Sequence, residues 1–207
     1  VVLIMQLLWW FGIHGPNVMG AVTSPFMTKM MATNLELYQT GEGVSASGVF
    51  YQAGSQYSII SSPFAAGWFC PTGSGITMGL IIAIMLFSKR DDFKAIAKLA
   101  IPCGIFNINE PIIFGIPLVM NAVFAVPFFL APLACISLGY LVQYIGLCPL
   151  FVINVPWTTP VGLFGFLASS GNIMGGIWQA VIIIGVSTLI YTPFVIASNR
   201  QTDTAEI

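Results

Sequence analysis

The chain has 207 residues, six Lys or Arg against seven Asp or Glu for a net charge of -1, and a mean hydropathy of +0.92. It is 57% hydrophobic and only 6% charged, where a soluble domain carries about 25% charged residues. That balance excludes a soluble globular protein, and the lack of a basic patch excludes a nucleic-acid binder.

Open sheets in lipid leave backbone groups unpaired, so the expected class is an all-α polytopic membrane protein. Residues 1–28 are apolar and exceed the roughly 20 residues that cross a bilayer, but "GIHGPN" interrupts them with two glycines and a proline. A helix break is expected there. The chain begins at Val1 inside this apolar run, with no charged start and no small-residue cleavage site. It reads as entered within a transmembrane segment, with an N-terminal part preceding it. Residues 18–31 resume the apolar pattern. Residues 32–62 are polar and glycine-rich and read as a long loop.

Residues 63–87 are expected to cross the membrane, Gly- and Pro-rich in the first half and continuous helix former in "MGLIIAIMLF". "KRDDFK", residues 89–94, followed by Lys98, concentrates five of the chain's charges. By the positive-inside tendency this stretch is cytoplasmic, and Phe93, Ile96 and Ala97 on one face suggest an interfacial helix. Next, "LAIPCGIFNINEPIIFGIPLVMN" is apolar yet broken by Pro102, Gly104, Pro111, Gly115 and Pro117. Irregular backbone at membrane depth is tolerated only where protein or a water-filled cavity covers it. A re-entrant hairpin with Asn107, Asn109 and Glu110 at its tip is expected. Residues 118–148 span with tilt. "NVPWTTPVGLFGFLASSGN" then repeats the polar–proline–glycine grammar and predicts a second re-entrant hairpin. Paired proline-interrupted segments of this kind point to a midplane binding site. Residues 172–197 form the last crossing, and 198–207 a polar cytoplasmic tail with Arg200, disordered from Gln201 to Ile207.

Glu110 is the one acid inside an apolar segment. A central carboxylate costs about 2.5–3.5 kcal/mol to insert, so such residues are usually functional. The alternative is that Glu110 caps the following half-helix, where the helix dipole favours it. Asn107, Asn109 and Glu110 offer donors and acceptors in one short loop, which suits a polyhydroxylated ligand better than a lone cap requires. His14 is the sole histidine and stands in the first break with Asn17. A lone histidine is often a packing residue, but one in such a break suits hydrogen bonding or proton exchange. Trp157, in "PWTTP" beside Thr158, either stacks on a sugar ring or anchors the interface. Trp9, Trp10, Trp68 and Trp178 read as belts and packing. Cys70, Cys103, Cys135 and Cys148 lack metal or redox spacing and read as packed thiols. No nucleotide-binding glycine loop, zinc spacing or nucleophile elbow appears, so neither a metal nor a cofactor is expected.

"FGIHGPN", "FNINEPIIFGIPLVMN" and "VPWTTPVGLFGFLASSGN", in that order, resemble the C-terminal half of an enzyme IIC membrane component of the bacterial phosphoenolpyruvate-dependent sugar phosphotransferase system, lactose/cellobiose (diacetylchitobiose) family. "NEPIIFG" is the specific motif, and the match runs from about Phe11 to Ala197. The resemblance implies a substrate-binding transmembrane domain over residues 1–197, with the dimer-forming N-terminal helices preceding it and a homodimer in the full-length form. A disaccharide would be held at the midplane in the bacterial inner membrane. Glu110 and His14 would contact it near the hydroxyl that becomes phosphorylated, with Asn109 bonding it and Asn107, Asn17, Trp157 and Thr158 completing the pocket. It further implies cytoplasmic IIB and IIA partners, the IIB protein carrying the phosphocysteine donor, so that this chain holds no phosphoryl-donor residue. Two departures concern pocket shape: Ala122 after Asn121 and Val161 after Pro160, where the family pattern suggests prolines. An ion-coupled secondary sugar transporter with Glu110 as the ion site is the alternative, and a non-transporting membrane scaffold the third.

Overall fold

A computed structural model describes residues 1–45, 48–69 and 71–203. Ten α-helices follow in order: α1 (Val2–Trp10), α2 (Gly15–Gln39), α3 (Ser62–Trp68), α4 (Met78–Phe87), α5 (Asp91–Ile105), α6 (Glu110–Gly115), α7 (Ala122–Tyr144), α8 (Leu163–Ala168), α9 (Ile173–Ala180) and α10 (Ser187–Asp203). The described fold is mostly helical, as expected. A π-helical stretch, Val181–Val186, joins α9 to α10 without interrupting the rod. The hydroxyls of Ser187 and Thr188 donate to carbonyls of Ile183 and Ile184 one turn back, a bonding pattern that often bends helices.

Among the described residues, two helices are long and apolar enough to cross a membrane: Ala122–Tyr144, mean hydropathy 2.1, and the continuous rod Ile173–Asn199, mean hydropathy 2.2. They match the last two expected crossings. Residues 63–87 are different, because the glycines and prolines of their first half split them into α3, an irregular segment 71–77, and α4. Thr72 and Ile76 take positive φ there, with Gly73 and Gly75. The first apolar run likewise divides at Phe11–His14 into α1 and α2.

The expected loop at 32–62 is overturned in its first quarter. α2 continues to Gln39, since Leu35, Glu36 and Leu37 are good helix formers, and the buried Asn34 exchanges two hydrogen bonds with the backbone of Ser58, at 2.7 and 2.8 Å. A two-stranded antiparallel ribbon follows, β1 (Val44–Ser45) and β2 (Gly48–Val49). Pro102 and Gly104 do not break the chain where expected either: α5 runs through both to Ile105, and the break lies at 106–109. The buried face of α5, Phe93, Ala97, Ala100 and Gly104, repeats at helical spacing and outweighs one lost backbone donor. α10 extends through residue 198 to Asp203, where a tail is expected.

Packing draws these pieces into two adjoining cores. One gathers Trp68, Phe151, Phe164 and Ile76; the other gathers Leu80, Ile84, Phe124, Phe128 and Tyr191. α4 lies against α10 so closely that a Cβ on Gly79 would sit 2.2 Å from Ser187 Oγ, the small-residue contact that lets membrane helices approach. α5 packs on α6, and α8 on α9, as two helix–turn–helix hairpins. The second is held by Gln179, whose Oε1 accepts the N–H groups of Gly162 and Gly165 while its Nε2 donates to Gly67. Lys89 N–H donates to Asn199 Oδ1, and Asn199 Nδ2 donates to Phe87 O. The charged 89–98 segment and the end of α10 therefore lie at the same end of the molecule. Cys135 and Cys148 are buried free thiols and Cys103 is half-buried; Cys70 lies outside the described residues.

Candidate functional site: a polar-lipped cavity at the broken helix ends

The breaks in the helices converge on one cavity of about 870 Å³. α1 contributes Met5 and Trp9, the α1–α2 turn His14, and α2 the face carrying Asn17, Thr23, Ser24 and Met27. α3 and Phe69 close another side. The remaining wall consists of non-helical or helix-end residues: Gly73 and Ser74, Asn107 to Glu110, and Trp157.

His14 is the N-cap of α2. Its Nδ1 accepts the N–H of Asn17 at 3.3 Å, which places the ring proton on Nε2, free to donate. Its ring lies 4.9 Å from that of Trp9, tilted by 54°. Trp9 was expected to serve in packing, yet it lines the cavity as well. The signal for it was its position one turn ahead of the "GIHGPN" break.

α5 ends in a Schellman closure. Asn107 N–H donates to Gly104 O and Ile108 N–H to Cys103 O, with Asn107 at φ 66°, the left-handed position that glycine or asparagine takes after a helix. The Asn107 side chain is buried. Its Oδ1 accepts Thr72 N–H at 2.7 Å, and its Nδ2 donates to Trp157 O at 2.5 Å and to Thr159 O at 2.8 Å. Two residues on, Asn109 is also buried, and its Nδ2 donates to Ser74 O at 2.7 Å. Gly73 is required here: a Cβ on it would fall 2.0 Å from Asn109 Cγ, and its φ is 84°.

Glu110 opens α6, and the helix start explains its backbone. Its side chain, however, is exposed to the cavity and not buried as the insertion cost suggests. Its carboxylate makes no hydrogen bond or ion pair among the described residues; the ion pair found among them is Arg90–Asp92. The N-cap residue Asn109 makes no capping bond with its side chain either, and Glu110 stands in the first turn of α6, where the helix dipole favours a carboxylate. Six of the expected site residues, His14, Asn17, Asn107, Asn109, Glu110 and Trp157, thus share one cavity. Thr158 is half-buried and outside its wall. Ser74, Thr23 and Ser24 were not foreseen, because hydroxyls in apolar helices and loops carry no pattern of their own.

Together these features define a mostly α-helical protein, with two helices among the described residues long and apolar enough to cross a membrane, folded around a cavity whose polar groups cluster at broken helix ends. The sequence profile of the family "Phosphotransferase system, EIIC" matches residues 1–132, and the chain belongs to that family. It is 36% identical, over 99% of its length, to 43% of the PTS system cellobiose-specific EIIC component of Lactococcus lactis subsp. lactis (strain IL1403). It is 37% identical, over 96% of its length, to 41% of the Lichenan permease IIC component of Bacillus subtilis (strain 168). Its fold superposes, with a TM-score of 0.86 and 33% identity, on the crystal structure of the transporter ChbC, the IIC component from the N,N'-diacetylchitobiose-specific phosphotransferase system, covering 99% of this chain and 45% of that one. The chain therefore spans less than half the length of the relatives it matches.

Proposed function

We propose that the chain forms the substrate-binding part of a sugar permease of the phosphotransferase system, taking a disaccharide of the cellobiose, chitobiose or lactose type. The observation that carries this reading is the unpartnered Glu110 carboxylate in a cavity of about 870 Å³, within the roughly 300–1,000 Å³ of small-molecule sites. A carboxylate with free lone pairs accepts sugar hydroxyls; His14 Nε2–H donates to one; Trp157 offers an apolar face to a pyranose ring. Asn109 and Asn17 add amides at the same wall. The relatives named for cellobiose and for N,N'-diacetylchitobiose support a disaccharide in particular.

In this reading the sugar hydroxyl loses its proton to Glu110 as its oxygen attacks phosphorus, and a cysteine thiolate of a cytoplasmic IIB partner leaves. IIA recharges that partner. The donor's place outside this chain is supported by the burial of Cys135 and Cys148. α5–α6 and the 154–172 segment that contains α8 are the two re-entrant hairpins, meeting near the midplane of the bacterial inner membrane. α7 and the Ile173–Asn199 rod cross the bilayer, and the 89–98 end faces the cytoplasm. The full-length protein works as a homodimer.

The test is phosphorylation of radiolabelled cellobiose, lactose and chitobiose by membranes bearing the protein, with the cytoplasmic components added and then with IIB omitted. IIB-dependent sugar phosphate is expected. Accumulation of unmodified sugar without IIB, abolished by an uncoupler, would replace this reading with ion-coupled transport.

A further inference from the structure

A Schellman closure asks only for a residue that tolerates positive φ, and glycine does so at no steric cost. Position 107 carries asparagine instead, and both N–H groups of its amide and one acceptor site of its oxygen are taken by backbone elsewhere in the chain. Thr72 belongs to the irregular segment between α3 and α4, and Trp157 and Thr159 belong to the loop before α8. Asn109 repeats the first of these ties two residues along, to Ser74, but only Asn107 reaches the 157–159 loop. Trp157 itself is 62% exposed and has no ring partner among the described aromatic pairs. Its indole is therefore not held by packing; what fixes it at the cavity wall is the anchoring of its own peptide.

We infer that Asn107 is a positioning residue: its carboxamide clamps the Trp157 peptide and so presents the indole to the sugar, without touching the sugar itself. This rests on the disaccharide reading above. It assigns Asn107 a role opposite to that of its neighbours Asn109 and Glu110, since a ligand-contacting amide needs free valences and both N–H groups of Asn107 are already donated to protein.

The test is disaccharide affinity by calorimetry on the detergent-solubilised protein, in a double-mutant cycle between positions 107 and 157. Asn107→Asp keeps size, tolerance of positive φ and the acceptor for Thr72, but turns an oxygen toward two carbonyls. Asn107→Gly keeps the Schellman closure and removes the clamp outright. Each is expected to weaken binding by about tenfold, the scale of one lost hydrogen bond in a well-ordered site. In a Trp157→Ala background neither is expected to weaken it further by more than about twofold, because the residue through which Asn107 acts is gone. Multiplying losses would overturn the inference, as would unchanged affinity in both single variants. Failure of both variants to yield monodisperse protein would make Asn107 a residue that only holds the fold. A wild-type protein that binds none of the disaccharides would remove the functional reading and this clamp with it; a wild type that binds while the cycle is additive would remove the clamp alone.

Discussion

Replacing Glu110 by Gln separates the two reasons an acid might be kept in an apolar protein. The carboxylate makes no contact with a protein donor among the described residues, and its residue is exposed to the cavity. A substitution at such a position normally shifts stability by no more than about 0.5 kcal/mol. Thermal unfolding in detergent should therefore be unchanged within error. Binding should not be. Charge-assisted hydrogen bonds are worth about 1.5–3 kcal/mol against about 0.5–1.5 for neutral ones, so exchanging carboxylate for amide removes on the order of 1–3 kcal/mol for two sugar hydroxyls. That is roughly a 5- to 150-fold rise in Kd by calorimetry. Phosphorylation should fall further than occupancy explains, because an amide accepts no proton, and the deficit should persist at saturating sugar. Wild-type affinity and phosphorylation in Glu110→Gln would refute the argument. A large drop in unfolding temperature would instead reveal a structural contact for the carboxylate.

His14→Asn keeps an N-cap acceptor for Asn17 N–H and loses the imidazole, whereas His14→Ala loses both. Only the alanine variant should lose the roughly 0.5–2 kcal/mol of a cap, while both weaken disaccharide binding; retained affinity in His14→Asn would return His14 to a structural role. Gly79→Ala places a Cβ 2.2 Å from Ser187 Oγ, and an overpacked α4–α10 contact should cost about 1–3 kcal/mol, read as a lower unfolding temperature; no shift would show that the two helices slide apart freely. The Arg90 guanidinium holds the Asp92 carboxyl below its usual range through their hydrogen bonds. A depressed carboxylate stabilises above its unfolded pKa of about 3.9 and loses that contribution as pH falls through the folded value. Because both groups are solvent-accessible the pair is worth under about 1 kcal/mol, so Asp92→Asn should lower the unfolding temperature slightly and equally at pH 7 and pH 5, the gap closing below about pH 4.

Composition and apolar run length were enough to read the long crossings, because α7 and the Ile173–Asn199 rod depend on little besides hydropathy and length. They were misleading where tertiary bonds decide. In residues 32–39 the helix formers Leu35, Glu36 and Leu37 are a weak local signal, and the Asn34 amide closing on Ser58, 24 residues away, fixes the helix. Residues 63–87 have the hydropathy of a span, but four positive-φ positions close together at Thr72, Gly73, Gly75 and Ile76 belong to a turn that run-length averaging hides. Pro102 misled in the other direction. A proline removes one donor, and the helix continues because its amphipathic face is already buried. Within the site, charge was legible and geometry was not. Glu110 stood out through its insertion cost, and Trp157 through its bracketing prolines. That Asn107 and Asn109 face protein backbone across 35 residues of sequence could not be read from "NINEP".

Apart from Thr23 and Ser24 inside α2, the polar wall groups of the cavity cluster where the chain leaves or enters a helix. His14 is an N-cap, Asn107 a helix terminator, Glu110 a first residue, and Trp157 lies six residues ahead of α8. This follows from the solvent. In lipid a regular helix satisfies its own backbone and exposes only side chains, so a site that offers backbone-anchored donors and acceptors to a polar ligand is built where helices stop. The carbonyls and N–H groups freed at those stops would each cost about 1–3 kcal/mol if left unpaired, and the asparagine amides at 107 and 109 take up four of them. The same asparagines that make broken helices tolerable thus also bring their ends together around one cavity, which is why carboxylate, imidazole and indole meet there although 143 residues separate His14 from Trp157.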